Sequence, residues 1–409
     1  MIVNADLHIH SRFSGATSEK MTIQNIAFVA PLKGIDIVGT GDCLHSGWME
    51  EIRHCGVVDE GTFELDKTRF ILSCEVEAQK RVHHLLYFPS FSAAEDFKER
   101  IRPKSKNIET DGRPNVNMSG EELAQIAKDV DALIGPAHAF TPYTAIYSSF
   151  NSLKECYGDL VDYVSFVELG LSADTNLADK IQELHRLTFL TSSDCHSPHP
   201  ARVAREFNRF EVKDATFNEV KKAILRIDGN KPLLNVGLPP QEGKYHESAC
   251  RSCYIHYSLE EAQRRHWKCS CGKLIKKGVK DRINERADFS ESQHPDHRPP
   301  YVHLIPMTEI ITKAVGQQNP FTQTVNRRWS DLVSVFKSEI NVLLDCEIED
   351  IAKVTAPAIA EAIHAFREKK VIISPGGGGQ YGKIELPWDE IATTMNLGPK
   401  DTQTSLHDY

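Results

Sequence analysis

The chain has 409 residues, 40% hydrophobic and 26% charged, enough for two or three domains with packed cores and too apolar for wholesale disorder. No run of about 20 apolar residues is present and no charged segment followed by an apolar one opens the chain, so neither a membrane span nor a secretion signal is expected, and the cytoplasm is the expected location. The balance of 48 basic against 57 acidic residues, net −9, excludes a globally basic nucleic-acid binder, and ten cysteines in such a chain point to metal or single thiols rather than disulfides.

In chain order, short β-branched or apolar runs at 4–9, 35–39, 70–75, 83–88, 131–136, 164–169 and 189–192 predict strands. Amphipathic stretches at 22–32, 119–128, 175–187 and 218–228 predict helices between them. This alternation argues for an α/β domain of βα units with a mainly parallel sheet, whose active site lies just past the strand ends. Leu238-Pro-Pro-Gln-Glu-Gly243 reads as a linker. Beyond it, residues 244–286 carry eleven Lys and Arg against five Asp and Glu, a net +6 on a chain that is otherwise −15. Such a basic island is the footprint of a phosphate grip, or else the solvated surface of a small module. A polar stretch at 290–300, a helical pattern to about residue 370 and four consecutive glycines at 376–379 complete the reading.

Asp6-Leu-His8-Ile-His10 puts two histidines two apart on a strand, so both imidazoles face one side, where a single cation can take both. Similar residues recur at other predicted strand ends: Asp42 and His45, Glu75, His83 and His84, His138, then Asp194 and His196. A lone histidine is ordinarily a hydrogen-bonded core residue. Six strand ends each delivering an imidazole or carboxylate to one rim instead predict a polynuclear site suited to Zn²⁺, Mn²⁺ or Fe²⁺. A bridging carboxylate holds two cations about 3.5–4 Å apart, and such pairs activate water for attack on phosphorus.

Asp6-Leu-His-Ile-His10, Asp42-x-x-His45, Glu75, the histidine before Leu85-Leu86, Pro136-Ala-His138 and Ser193-Asp-Cys-His196 resemble the polymerase-and-histidinol-phosphatase (PHP) family. The resemblance implies a distorted (βα)7 barrel that hydrolyses phosphate esters with two or three divalent metals, Zn, Mn, Mg or Fe. It implies His8, His10, Glu75 and Asp194 on a first metal, and Glu75 bridging to a second held by His138 and by His84 or its neighbour His83, with His84 preferred. It implies His45 and His196 at a third metal, and Asp194, Glu75 and His196 as the catalytic set. Ser11-Arg-Phe-Ser-Gly-Ala16 lacks a further histidine usual in the family, and Cys43 and Leu44 separate Asp42 from His45.

Cys250-Arg-Ser-Cys253 and Cys269-Ser-Cys271-Gly272, fifteen residues apart, have the spacing of a structural zinc knuckle, with His246 and His256 as alternative ligands. The glycine run before Gln380-Tyr381-Gly382 reads either as backbone made for close ligand approach or as a turn. The order of barrel, knuckle, helical segment and Gly-rich Tyr-Gly tail resembles the endonuclease Q family of PHP enzymes over nearly the whole chain. That implies a PHP domain at 1–238, a four-cysteine zinc module at 244–288, and a mainly helical C-terminal DNA-binding region at 300–409. It also implies nicking of damaged DNA 5′ of uracil, hypoxanthine or an abasic site, leaving 3′-hydroxyl and 5′-phosphate. Lys273, Lys276, Lys277, Gly377, Gly378 and Tyr381 are the expected DNA contacts. The rival readings are a small-molecule phosphatase, which leaves the knuckle and basic island without a task, and an idle DNA-binding scaffold.

Overall fold

A computed structural model describes residues 1–388. Its strands are β1 (Ile2–Asp6), β2 (Ile37–Gly39), β3 (Gly56–Asp59), β4 (Thr62–Leu65), β5 (Thr68–Ile71), β6 (Ser73–Glu77), β7 (His83–Tyr87), β8 (Leu133–Pro136), β9 (Phe166–Glu168), β10 (Thr188–Leu190), β11 (Phe207–Glu211), β12 (Lys231–Gly237), β13 (Ala249–Cys250), β14 (Ile275–Lys276), β15 (Tyr301–His303), β16 (Ile372–Ser374) and β17 (Lys383–Glu385). The main sheet runs β15-β12-β11-β1-β2-β5-β4-β3, and smaller sheets are β6-β7-β8 and β9-β10. Backbone hydrogen bonds join their edges: Cys43 donates to Ser73, Ala139 to Glu168, Asp194 to His8 and His10 to Cys195. One apolar cluster draws Val3, Ala5 and Leu7 together with Ile37, Ile71, Leu85, Leu133, Phe166, Leu190 and Phe210, so these strands share an interior.

Strand pairing is mixed rather than mainly parallel as expected: β1-β2-β5, β12-β15 and β9-β10 pair parallel, whereas β3-β4-β5, β1-β11-β12 and β6-β7-β8 are antiparallel. Only the short turn at Gln79–Arg81 joins β6 to β7, too little chain for a crossover, so the two must form a hairpin. The helix expected at 175–187 is interrupted after Thr175–Ala178. The next residue, Asp179, turns a fully buried carboxylate inward, where it accepts from Arg298 at 2.8 Å and lies 2.7 Å from His294.

Two glycines in Ile37-Val-Gly-Thr-Gly41 let the histidine-bearing segment pass. A Cβ on Gly39 would stand 2.2 Å from Leu7 O, and one on Gly41, at φ +59°, 2.0 Å from Ile9 O. Neither position tolerates a side chain.

After the linker, β13 and β14 form the knuckle hairpin. β15 rejoins the main sheet beside β12, and helices Met307–Ala314, Gln323–Phe336, Ile348–Val354 and Pro357–Arg367 follow. No described helix is long and apolar enough to cross a membrane. A buried ion pair ties these helices to the N-terminal half: Lys33 Nζ donates to Glu339 Oε1 at 2.6 Å and to Pro200 O at 2.7 Å. Glu339 also accepts from Trp329 Nε1 at 2.6 Å and Met307 N at 3.0 Å. Lys33→Met leaves that carboxylate buried without its cation and is expected to cost about 3–5 kcal/mol. Adding Glu339→Gln should restore a large part, read from denaturant unfolding of the full chain; equal midpoints for all three proteins would contradict this.

Candidate metal centre

The first histidine pair lies just past β1, each ring aimed by a buried carboxylate. Both Glu168 oxygens lie 3.0 Å from His8 Nδ1, which leaves Nε2 3.9 Å from Glu75 and 3.8 Å from Asp194. Asp42 Oδ1 lies 3.0 Å from His10 Nδ1, leaving Nε2 3.4 Å from Glu75 and 3.2 Å from Asp194. Ser11 and Ser14 hydroxyls donate to the other Asp42 oxygen, fixing it in turn.

Glu75 sits at the centre. Its Oε1 is 2.7 Å from His83 Nδ1 and 2.8 Å from His138 Nε2, and its Oε2 accepts from Arg113 Nη1 at 3.1 Å. Three groups of ligand atoms therefore form, each within 4.8 Å: His8, His10 and Glu75; Glu75, His83 and His138; His10, Asp194 and His196. Glu75 belongs to two of them, and so does His10. Asp42, His138 and Asp194 all have positive φ (50°, 30° and 47°). Non-glycine residues in that region cost roughly 1–3 kcal/mol each and gather where function demands a particular side-chain direction.

The electrostatics favour cations. Burial disfavours a charged His8, yet Glu168, Asp194 and Glu75 outweigh it and push the imidazole up to about 9. Burial would likewise raise Glu75, but His83, His10 and His138 hold it well below the usual carboxylate range. Asp194 is lowered against burial by His10 and His8. Carboxylates that draw protons onto their imidazoles would also draw divalent cations, which displace those protons. The donors fit: His8 Nε2 and His10 Nε2 are buried, make no hydrogen bond and face two carboxylates. Imidazole with carboxylate suits Zn²⁺, Mn²⁺ or Fe²⁺.

The structure gathers His8, His10, Glu75, His83, His138, Asp194 and His196 and leaves two expected ligands outside. His84, preferred over His83 on sequence, faces the other side of β7; its Nδ1 lies 2.8 Å from the Tyr157 hydroxyl, and burial and His83 lower it to about 3. Alternation along a strand sends neighbours to opposite faces, and β7 turns His83 inward. His45 caps the helix Ser46–Arg53 and stacks on Phe13 at 4.3 Å. Cys43 and Leu44, both buried in the core, carry it past the rim, so Asp42 is the group this motif sends inward. Glu168 and Arg113 were missed as site residues. Glu168 ends a predicted strand and was readable, whereas Arg113 lies in an irregular loop with no signal.

The four knuckle thiols converge, Cys250 Sγ 3.5 Å from Cys271 Sγ and Cys253 Sγ 3.4 Å from Cys269 Sγ, with His256 turned to Glu247 instead. Gly377 and Gly378, expected as DNA contacts, lie against the knuckle. They are buried, and Cβ atoms there would stand 2.9 Å from Glu247 O and 2.3 Å from Cys250 O, so the close approach they permit is to the knuckle's own backbone. Lys277 pairs with Glu285 at 2.6 Å, while Lys273 is exposed.

Buried carboxylates shared between imidazole groups define an α/β protein with clustered residues able to hold metal ions, beside a four-thiol knuckle. Comparison with known proteins narrows this class. A family described as the MJ0043 C-terminal domain matches residues 306–370. The uncharacterized protein MJ0043 of Methanocaldococcus jannaschii is 46% identical over 255 residues, covering 61% of this chain but only 31% of that protein. The uncharacterized protein YqxK of Bacillus subtilis is 32% identical over 407 residues, covering 94% of this chain and 99% of that protein. Among solved structures, the lesion-specific endonuclease PfuEndoQ of Pyrococcus furiosus superposes with a TM-score of 0.91 at 50% identity, covering 94% of this chain and 96% of that one. Endonuclease Q in complex with a 27-mer duplex carrying an abasic lesion at the active site superposes at 0.89, also at 50% identity, covering 95% and 98%. The chain belongs to the endonuclease Q family.

Elemental analysis tests the grouping. Glu75→Ala, which removes the shared carboxylate, should lose more non-zinc-knuckle metal than His138→Ala, while Cys250→Ser should lose one zinc and spare the rest. Equal losses for Glu75→Ala and His138→Ala would contradict a shared Glu75.

Proposed function

We propose that this chain is a metal-dependent DNA endonuclease that cuts the phosphodiester 5′ of a deaminated base (uracil or hypoxanthine) or an abasic site, leaving 3′-hydroxyl and 5′-phosphate ends. The single observation that carries the reading is Glu75 shared between two imidazole groups, on a chain half identical to endonuclease Q bound to a lesion duplex. The linked strand edges fit a distorted PHP barrel over residues 1–238, followed by a zinc module at 244–288 and a helical region from 300; residues 389–409 of that region lie outside the described ones.

His8, His10, Glu75 and Asp194 would hold one divalent cation, Glu75, His83 and His138 a second, and His10 or Asp194 with His196 a third. When bound, such cations activate water and offset charge on the phosphate oxygens. Glu168 and Asp42 keep His8 and His10 turned with Nε2 inward, and Arg113, partly exposed beside Glu75, offers its guanidinium to a nonbridging oxygen. Water adds to phosphorus and the P–O3′ bond breaks, so O3′ leaves with a proton and the phosphate stays on the 5′ end. Lys273 and Lys276 of the basic module grip the backbone. Part of the island's charge is spent internally, since Lys277 and Lys280 pair with Glu285 and Glu247.

Labelled duplexes with one uracil, one abasic site or neither, incubated with Mn²⁺, Mg²⁺ or Zn²⁺, test the reading. Nicking restricted to damaged strands is expected, and Asp194→Ala should abolish it while keeping DNA binding. Release of phosphate from monoesters with damaged duplexes left intact would contradict it. Binding should weaken steeply with salt, and Lys276→Ala should flatten the log–log slope by roughly one.

A further inference from the structure

Between His138 and the helix Ile146–Ser149 the chain makes a loop whose flanks are pinned to the metal centre. Thr141 N donates to His138 O at 3.0 Å, and His83 N donates to Thr144 O at 3.0 Å. Phe140, Ala145 and Ile146 are buried on either side. Tyr143 stands between these anchors, 52% exposed and held at φ +83°. A tyrosine in that backbone region is a rare and costly arrangement, and the loop holds an aromatic ring in solvent next to Thr144, whose carbonyl accepts from His83 N, and a few residues after His138.

The ring is not isolated. Lys276 Nζ lies 4.3 Å from its centroid, and Tyr245 meets it edge-on at 6.2 Å. Lys276 also reaches Tyr245 at 6.0 Å, and Lys244 lies 5.7 Å from Tyr245 and 5.6 Å from Tyr381. Tyrosine and lysine thus alternate in one row from the loop after His138, across the knuckle, to the glycine turn. The cations of this row differ from their neighbours. Lys277 and Lys280 are closed by Glu285 and Glu247, whereas among the described residues no carboxylate lies within 4.0 Å of Lys244 or Lys276 Nζ. Gly379 N donates to Lys244 O at 2.9 Å, which locks the turn bearing Tyr381 onto the same strip.

From this juxtaposition we infer that Tyr143, Lys276, Tyr245, Lys244 and Tyr381 form a stacking row for unpaired nucleotides of the damaged duplex, with Tyr143 the ring nearest the cut. The inference rests on the proposed function and adds to it the residues that select unpaired over paired DNA. Aromatic faces accept any base that has left its stack, while ammonium groups take the phosphates between them. A paired duplex offers its charge to the lysines but no free base face to the rings, so the tyrosines discriminate and the lysines do not.

Steady-state nicking by the full, metal-loaded chain tests this. For a duplex with one uracil, Tyr143→Ala should raise KM roughly tenfold or more with kcat within about twofold, because stacking on the extruded base precedes the chemistry. The Kd for an undamaged duplex, read by fluorescence anisotropy, should move less than about twofold, and Tyr143→Phe, which keeps the ring, should behave as the unsubstituted chain. A 2-aminopurine beside the lesion should change emission on binding the unsubstituted chain but not Tyr143→Ala. An unchanged KM, or equal weakening on damaged and undamaged duplexes, would overturn the row while leaving the nuclease intact. Failure of the unsubstituted chain to nick any damaged duplex would overturn the functional reading, and the row with it.

Discussion

The structure depends on keeping several carboxylates buried around one point. Glu75 and Asp194 converge on Nε2 of both His8 and His10, and Glu168 and Asp42 stand directly behind those rings. Anions at this density in a low-dielectric interior need positive charge, or they protonate or push apart. The imidazoles provide that charge in part, which is why His8 and His10 are raised despite complete burial. A divalent cation between the same groups meets the need more fully. Much of the surrounding architecture follows from holding these groups still.

Two kinds of device hold them. Hydrogen bonds from behind orient the rings, as Glu168 does for His8, while its Oε2 also accepts from His138 N at 2.8 Å and so links two strand ends. Backbone geometry does the rest. Gly39 and Gly41 open a path for the segment bearing His8 and His10, and positive φ at Asp42, His138 and Asp194 redirects side chains a regular strand would send elsewhere. Such strain persists only where surrounding contacts over-determine it. The C-terminal helices take part through Lys33, which bridges Glu339 to the carbonyl of Pro200, four residues beyond His196.

Much of the site was legible because strand ends carry a strong signal: each predicted strand lies near its place, and seven of the expected ligands converge. What failed to read out was side-chain direction. His83 and His84 are neighbours on one strand, and only the twist of β7 decides which faces the centre. His45 lost its place through two intervening residues that the core absorbed. The glycine run could be read as ligand-facing because a missing Cβ says that something comes close without saying what; here it is the knuckle's own backbone. Arg113 and the antiparallel turn of β6 and β7 depend on contacts distant in sequence, which local periodicity does not encode.

The knuckle then has a double task. Its thiols order a segment with a small apolar cluster of its own, and its hairpin places Lys276 over the loop that follows His138. The most direct measurement of the central claim is anomalous X-ray diffraction from crystals of the chain loaded with Mn²⁺. Ions on both sides of Glu75, one reached by His8 and His10 and the other by His83 and His138, are the predicted result. Anomalous density confined to the four thiolates, with Glu75 bound only to protein, would contradict it.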